Sequence, residues 1–232
     1  MQISDHLPAV WPTDEAAGRA EQERLRPLMR AEGVSAAEVR LIAGVDVSYA
    51  KDESVVAGAV VVLDAADLTV VDSATAVRPV EFPYLPGLLA FREIPALLDA
   101  LGLLATTPDA IVCDGYGLAH PRRFGLACHL GVLTELPTFG VAKTAFIGEY
   151  EQPGPERGDR SALVDGGETV GRVLRTQRGV KPVFVSTGHR IDLDAATELT
   201  LTLAARYRLP ETTRQADQLS RRVLAEAIRE GV

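Results

Sequence analysis

Two runs dense in β-branched and small apolar residues, 40–49 (RLIAGVDVSY) and 54–63 (SVVAGAVVVL), flank the polar AKDE and predict a hairpin of central strands. The run 68–77 (LTVVDSATAV) predicts a third antiparallel strand. From Phe91 to Leu104 the apolar positions recur at helical spacing, and 110–114 then reads as a short buried strand. A helical FGLACHLGVLTEL, a strand TFGVA and a polar loop over 152–159 (QPGPERGD) come next. A strand pair over 169–176 and 182–186 then precedes two amphipathic helices, 194–207 and 213–230. Ahead of the sheet, 13–32 is rich in Ala, Glu, Arg and Leu and predicts a helix that Pro27 bends or ends early. Three meandering strands followed by alternating helices and strands predict an α/β fold, a mixed sheet covered by helices on both faces. With no internal repeat, low-complexity tract or interdomain linker, one domain is expected over residues 1–232.

Composition narrows the function classes. The chain has 232 residues, 47% hydrophobic and 24% charged, as a soluble globular protein does. Its net charge of −8 argues against coating nucleic acid by bulk attraction and leaves room for a local basic surface. Cys113 and Cys128 both sit in apolar surroundings, which predicts buried, reduced thiols and a cytoplasmic setting. The start of the chain shows neither a basic n-region nor an apolar h-region, and no stretch reaches the roughly 18 apolar residues of a membrane span. A soluble, unprocessed monomer with no membrane partner is the expectation.

The carboxylates carry the chemistry. Asp46 interrupts the apolar LIAGVDVSY, and an ionised carboxylate buried there costs several kcal/mol unless a cation or donors compensate it. Asp114 repeats the pattern at the end of IVCD, where Gly115 and Gly117 leave the backbone open to a ligand. Ligand sites in such sheets gather at strand ends, so the two acids are expected to converge. Glu93 stands near a helix start, where the dipole alone would also favour it. Converging carboxylates without a Cys or His cluster are hard ligands that suit Mg²⁺, with Mn²⁺ as a substitute, and phosphodiester hydrolysis is the reaction class they fit. His120, Arg122, Arg123 and Lys143 follow as groups for phosphate or proton transfer. A packed histidine and a solvated pair of arginines are the plain alternatives.

The residues that follow carry a resemblance. AGVDVSY, PYLPGLLAFREIPALLDAL, CDGYGLAHPRRFGLACHLG, PTFGVAK, STGHRI and YRLPETTRQAD occur in this order from Ala43 to Asp217, and on them the chain resembles the endonuclease V family of inosine-directed repair nucleases. The resemblance implies an RNase H-like fold with a mixed five-stranded sheet whose first three strands are antiparallel. It implies that Asp46 and Asp114 bind metal, that Glu93 in FRE is the catalytic glutamate, and that Asp217 in TRQAD lies near the metal. A solvated helix acid is the other reading of Asp217. Lys143 in GVAK matches a lysine beside the scissile phosphate, and His120 in AHPRR an active-site histidine.

Tyr84 in PYLPG matches the tip of a wedge that parts the strands at the lesion, where turn chemistry alone would read a proline turn. Gly87, Gly115, Gly117 and Gly125 would then let a flipped base approach the backbone, between walls supplied by Leu89 and Leu126. Arg122 joins this nucleic-acid surface. Tyr116 stands where the family often carries histidine, so no histidine contact transfers to it, and His189 in STGHRI is expected to be structural. The implied activity is Mg²⁺-dependent hydrolysis of the second phosphodiester bond 3′ to deoxyinosine, with DNA bearing deaminated bases as partner. The rivals are a related nuclease acting on inosine in RNA or on branched DNA, and a non-catalytic module that binds damaged nucleic acid.

Overall fold

The computed structural model describes residues 4–231, so residues 1–3 of the N-terminal stretch and Val232 lie outside it. Three strands open the sheet: β1 (Leu41–Tyr49), β2 (Val55–Asp64) and β3 (Val70–Pro79). They pair antiparallel as the hydrophobic pattern predicts. After helix α2 (Ala90–Gly102), strand β4 (Ala110–Cys113) lies parallel to β1, and after α3 (Leu126–Thr134), strand β5 (Thr138–Ala142) lies parallel to β4. Strands β6 (Arg160–Asp165), β7 (Glu168–Leu174) and β8 (Val183–His189) complete an eight-stranded sheet in the order β3-β2-β1-β4-β5-β8-β7-β6.

Two expectations are corrected here. The sheet has eight strands, not five, and β6 was not anticipated. RSALVD has one fully buried hydrophobic position, Leu163, because it is an edge strand whose other side chains are half-buried or exposed.

Helices cover both faces. Helix α1 (Glu15–Leu25), capped by Asp14, ends where Pro27 enters a short 3₁₀ turn at Arg26–Leu28. Leu25 of α1 joins α2 and α3 over Ala43, Val45, Val60, Val62 and Ile111. On the other face α4 (Leu193–Leu203) packs on Ile42, Val112, Phe139 and Val185, while Ala216 of α5 (Glu211–Glu230) meets Val61 and Leu63. Strand alternation sends Val45 and Asp46 to opposite faces. Gly44, two residues before Asp46, permits the close approach of α5: a Cβ there would lie 2.2 Å from the Thr212 carbonyl carbon. Ser48 continues the same face, its hydroxyl 2.8 Å from that of Ser220 on α5. Asp46 therefore faces α5, the helix that carries Asp217.

Candidate active site

The pairing of β1 with β4 stops at Val45 and Cys113. Asp46 is thus the first β1 residue past that pairing, and Asp114 is the first residue beyond the end of β4. Lys143 likewise follows β5 directly. Glu93 comes from the first turn of α2 and Asp217 from α5, so four acids approach the strand ends from different elements.

Their electrostatics are those of an overfilled acid set. Burial, then the neighbouring charge of Asp114, raises the Asp46 carboxyl to about 7, with Asp217 adding to the rise against the Val47 amide and Lys143. Burial and the fields of Asp46 and Asp114 raise Glu93 to about 8. The Lys143 ammonium pairs with Asp114. Partial burial works against that ammonium, yet Asp114, Asp46 and Asp217 hold it above the ordinary lysine range.

Among the described residues no three His, Cys, Asp or Glu side chains are drawn together as a ready cage for an ion. The donor set fits a hard divalent cation all the same: its carboxylate oxygens raise one another's proton affinity, and a cation would reverse that. Cys113 and Cys128 are buried free thiols, as expected.

Beside the acids lies a cavity of about 270 Å³, lined by Tyr84, Gly87, Leu89, Gly115, Gly125 and Leu126 together with Glu93, Asp114 and His120. The structure thus gathers the residues assigned to base reading, Gly117 and Arg122 apart, beside Glu93 and Asp114. Tyr84 stands 62% exposed, with its ring 5.8 Å from the Arg92 guanidinium. Arg92 is buried, donates to Glu53 at 2.9 Å and also lies over Tyr49, so it braces the foot of the PYLPG turn.

Several roles differ from expectation. His120 is buried and neutral: burial, then the charge of Arg122, lowers it to about 4. Its Nε2 donates to the Gly87 carbonyl at 3.0 Å, and Nδ1 accepts from the Arg122 amide at 3.2 Å. Both ring nitrogens are engaged, so His120 positions Gly87 and has no free nitrogen for proton transfer. Arg122 also turns inward, donating to the Gly87 carbonyl at 2.6 Å and to Gln22 Oε1. Arg123 is held by Asp165 and Glu168 at 2.7 and 2.8 Å, which cancels the charge expected for phosphate.

Among the glycines, Gly87 has φ +80 and its Cβ would meet Arg122, so the turn needs glycine there. Gly115 is open to the cavity, a Cβ there meeting only Leu126 at 3.6 Å. At Gly117 and Gly125 the missing Cβ makes room for the Thr187 and Tyr116 carbonyls, 2.0 and 2.3 Å from where it would sit. Those two glycines serve packing, although the Gly125 backbone still lines the cavity. His189 is fully buried and accepts from the Arg30 amide at 3.3 Å, a packing role.

Three lining or bracing residues escaped the sequence. Gln22 is buried on α1 and donates to the Gly87 and Phe124 carbonyls. Phe146 closes the cavity from the loop after β5, its ring 5.2 Å from Tyr116 and 5.7 Å from His120. Arg92 is the third, and its signal was a second charge beside Glu93 at the start of an otherwise apolar helix.

Comparison with known proteins identifies the family. The sequence profile of the family described as Endonuclease V matches residues 23–218. The endonuclease V of Streptomyces avermitilis is 58% identical over 95% of this chain and 97% of its own length. A crystal structure of the enzyme from that organism superposes with a TM-score of 0.90 at 57% identity, covering 96% of this chain and 98% of the other. The endonuclease V of Ciona intestinalis, solved with a 24mer DNA containing an inosine followed by a ribo-adenosine, gives a TM-score of 0.81 at 29% identity over 91% of this chain and 98% of the other. With the RNase H-like sheet, the acids at its strand ends and a profile match running from α1 to α5, the chain belongs to the endonuclease V family.

Proposed function

We propose that the protein is a DNA repair endonuclease that recognises deaminated bases, chiefly deoxyinosine, and hydrolyses the second phosphodiester bond 3′ to the lesion. A 3′-hydroxyl and a 5′-phosphate would result, with Mg²⁺ as the metal and Mn²⁺ able to replace it. One observation carries the reading: the cavity bounded by Tyr84, Gly87, Leu89 and Leu126 opens onto Glu93 and Asp114, so a base held there leaves its own strand beside the acid set.

Tyr84, exposed at the tip of a turn braced by Arg92, would enter the duplex and stack where the base has left. The base would slide between Leu89 and Leu126, and the uncovered backbone of Gly115 would read its edge. Hypoxanthine offers O6 as acceptor and N1–H as donor, which main-chain groups distinguish from adenine. His120, Arg122 and Gln22 all donate to the Gly87 carbonyl and so fix the shape of the wedge turn. Asp46 and Asp114 would hold the metal with Glu93 and Asp217 beside them, and the bound ion would activate water and offset charge on the phosphate. Lys143 would leave Asp114 for the phosphate and stabilise the charge that develops there.

The test is strand cleavage of a labelled duplex carrying one deoxyinosine, with Mg²⁺ and with chelator, mapped to the nucleotide beside an undamaged duplex. A metal-dependent nick at the second bond is expected; a nick elsewhere, or one that survives chelation, overturns the reading. An RNA arm carrying one inosine belongs in the same experiment, because the Ciona relative was solved on a strand whose inosine precedes a ribonucleotide. Faster cleavage of RNA would move the substrate class to inosine-containing RNA.

A further inference from the structure

Lys143 lines a second cavity, of about 390 Å³, while its partner Asp114 lines the first. Their ion pair is the seam between the two. The second cavity is walled by Lys143, Tyr150, Arg175, Lys181, Phe184 and Arg208, and no Asp or Glu lines it although the chain carries a net charge of −8.

The two guanidiniums are fixed without being neutralised. Arg208 donates through Nε to the Lys181 carbonyl at 2.9 Å and through Nη2 to the carbonyls of Lys143 and Pro182 at 2.7 and 2.8 Å. Arg175 donates to the carbonyls of Gly154, Pro153 and Val180, the first two at 3.0 and 2.9 Å. Each partner is a neutral carbonyl, so both cations are anchored and retain their charge. Arg123 and Arg172 show the contrast, each paired with an acid. Lys181 is exposed and makes no ion pair among the described residues. Lys143, which pairs with Asp114, shares this wall with Arg208, and that sets the cavity next to the acids. Tyr150 adds a partly exposed ring, held edge-on against Phe184 at 5.2 Å.

We infer that this cavity binds a backbone phosphate of the nucleic-acid strand on the side of the scissile bond away from the base-reading cavity. The inference rests on the proposed function for the direction of the strand. Two anchored guanidiniums without carboxylate partners suit an anion that recurs along a polymer, and the path from the first cavity across the acids to Lys143 leads into the second.

Duplexes carrying one deoxyinosine and ending one, two, four or eight nucleotides beyond the scissile bond test it. Binding is read by fluorescence anisotropy in chelator, and cleavage is read separately with Mg²⁺. Affinity should rise as the strand grows long enough to enter the cavity, and Lys181→Glu should remove roughly tenfold of that gain on the long duplexes alone. Lys181→Ala should lower the slope of log K against log salt by about 0.9, the value of one phosphate contact. Arg208→Gln, checked for folding by its melting temperature, should act in the same direction. A Lys181→Glu protein that keeps the wild-type dependence on strand length overturns the inference, even if cleavage is normal. Length-dependent binding that Lys181→Glu abolishes, with no cleavage of any inosine strand, leaves the cavity assignment standing and removes the proposed function.

Discussion

Replacing Glu93 with glutamine keeps the shape of the side chain and removes one charge from a set that holds too many. Burial and the fields of Asp46 and Asp114 raise the Glu93 carboxyl to about 8 in the folded chain, against about 4.3 for an unfolded glutamate. Because the folded value is the higher one, the carboxyl's contribution to stability is fully present below about pH 4. It is lost as pH climbs through 8. Each pH unit across that span is worth about 1.4 kcal/mol, which sets a ceiling of roughly 5 kcal/mol by pH 8. Glu93 keeps one side open to the cavity, and water there screens the charge, leaving roughly 2 kcal/mol.

Glutamine does not titrate, so the Glu93→Gln protein escapes this loss. In chelator, its melting temperature minus that of the wild type should widen between pH 5 and pH 8.5 by about 4–8 °C, at 2–4 °C per kcal/mol for a chain of this length. Circular dichroism melts across the range measure it. Mg²⁺ should close the gap from the wild-type side, since a cation among the acids offsets the same charge. A difference that stays constant from pH 5 to pH 8.5 would refute the reasoning, because Glu93 would then ionise in the folded chain as it does in the unfolded one.

Other outcomes follow from the same geometry. Asp46→Asn and Asp114→Asn should each lower cleavage of an inosine duplex at least ~10³-fold, about 4 kcal/mol of transition-state stabilisation, while retaining DNA binding in gel shifts. Tyr84→Ala, at an exposed position, should leave the melting temperature nearly unchanged and cost ~1–3 kcal/mol of affinity for an inosine duplex, with a smaller loss on a single strand. His120→Ala removes a donor from the Gly87 carbonyl and should raise KM for inosine DNA. The wild-type pH–rate profile should show no limb from His120 above pH 5, because its ring stays neutral down to about 4. Gly44→Ala forces a Cβ to within 2.2 Å of the α5 backbone; it should destabilise the fold by ~1–3 kcal/mol in urea melts, a loss absent if α5 can retreat at no cost.

The acids were legible because a charge inside an apolar run is costly, and that cost is visible in a line of text: Asp46 among LIAGVDVSY, Asp114 closing IVCD. The first three strands were legible for a related reason, since β-branched runs separated by AKDE have few other ways to bury themselves. Strand β6 left no such mark, being an edge that buries little. Side-chain roles were harder still. The sequence shows Arg122 and Arg123 as neighbours, yet one turns inward to Gln22, 100 positions earlier, and the other reaches Asp165 and Glu168 on the β6–β7 hairpin. Both partners are set by how distant elements stack, which no local period encodes. The glycines divide in the same way: turn chemistry alone points to Gly87, whereas Gly117 and Gly125 are small because backbone from β8 and from Tyr116 lies against them. A residue whose reason is local cost can be found by reading along the chain. One whose reason is a contact across the fold, as at Gln22 and Phe146, becomes visible only when side chains from α1 and from the loop after β5 are seen lining one cavity with the PYLPG turn, Glu93 and Asp114.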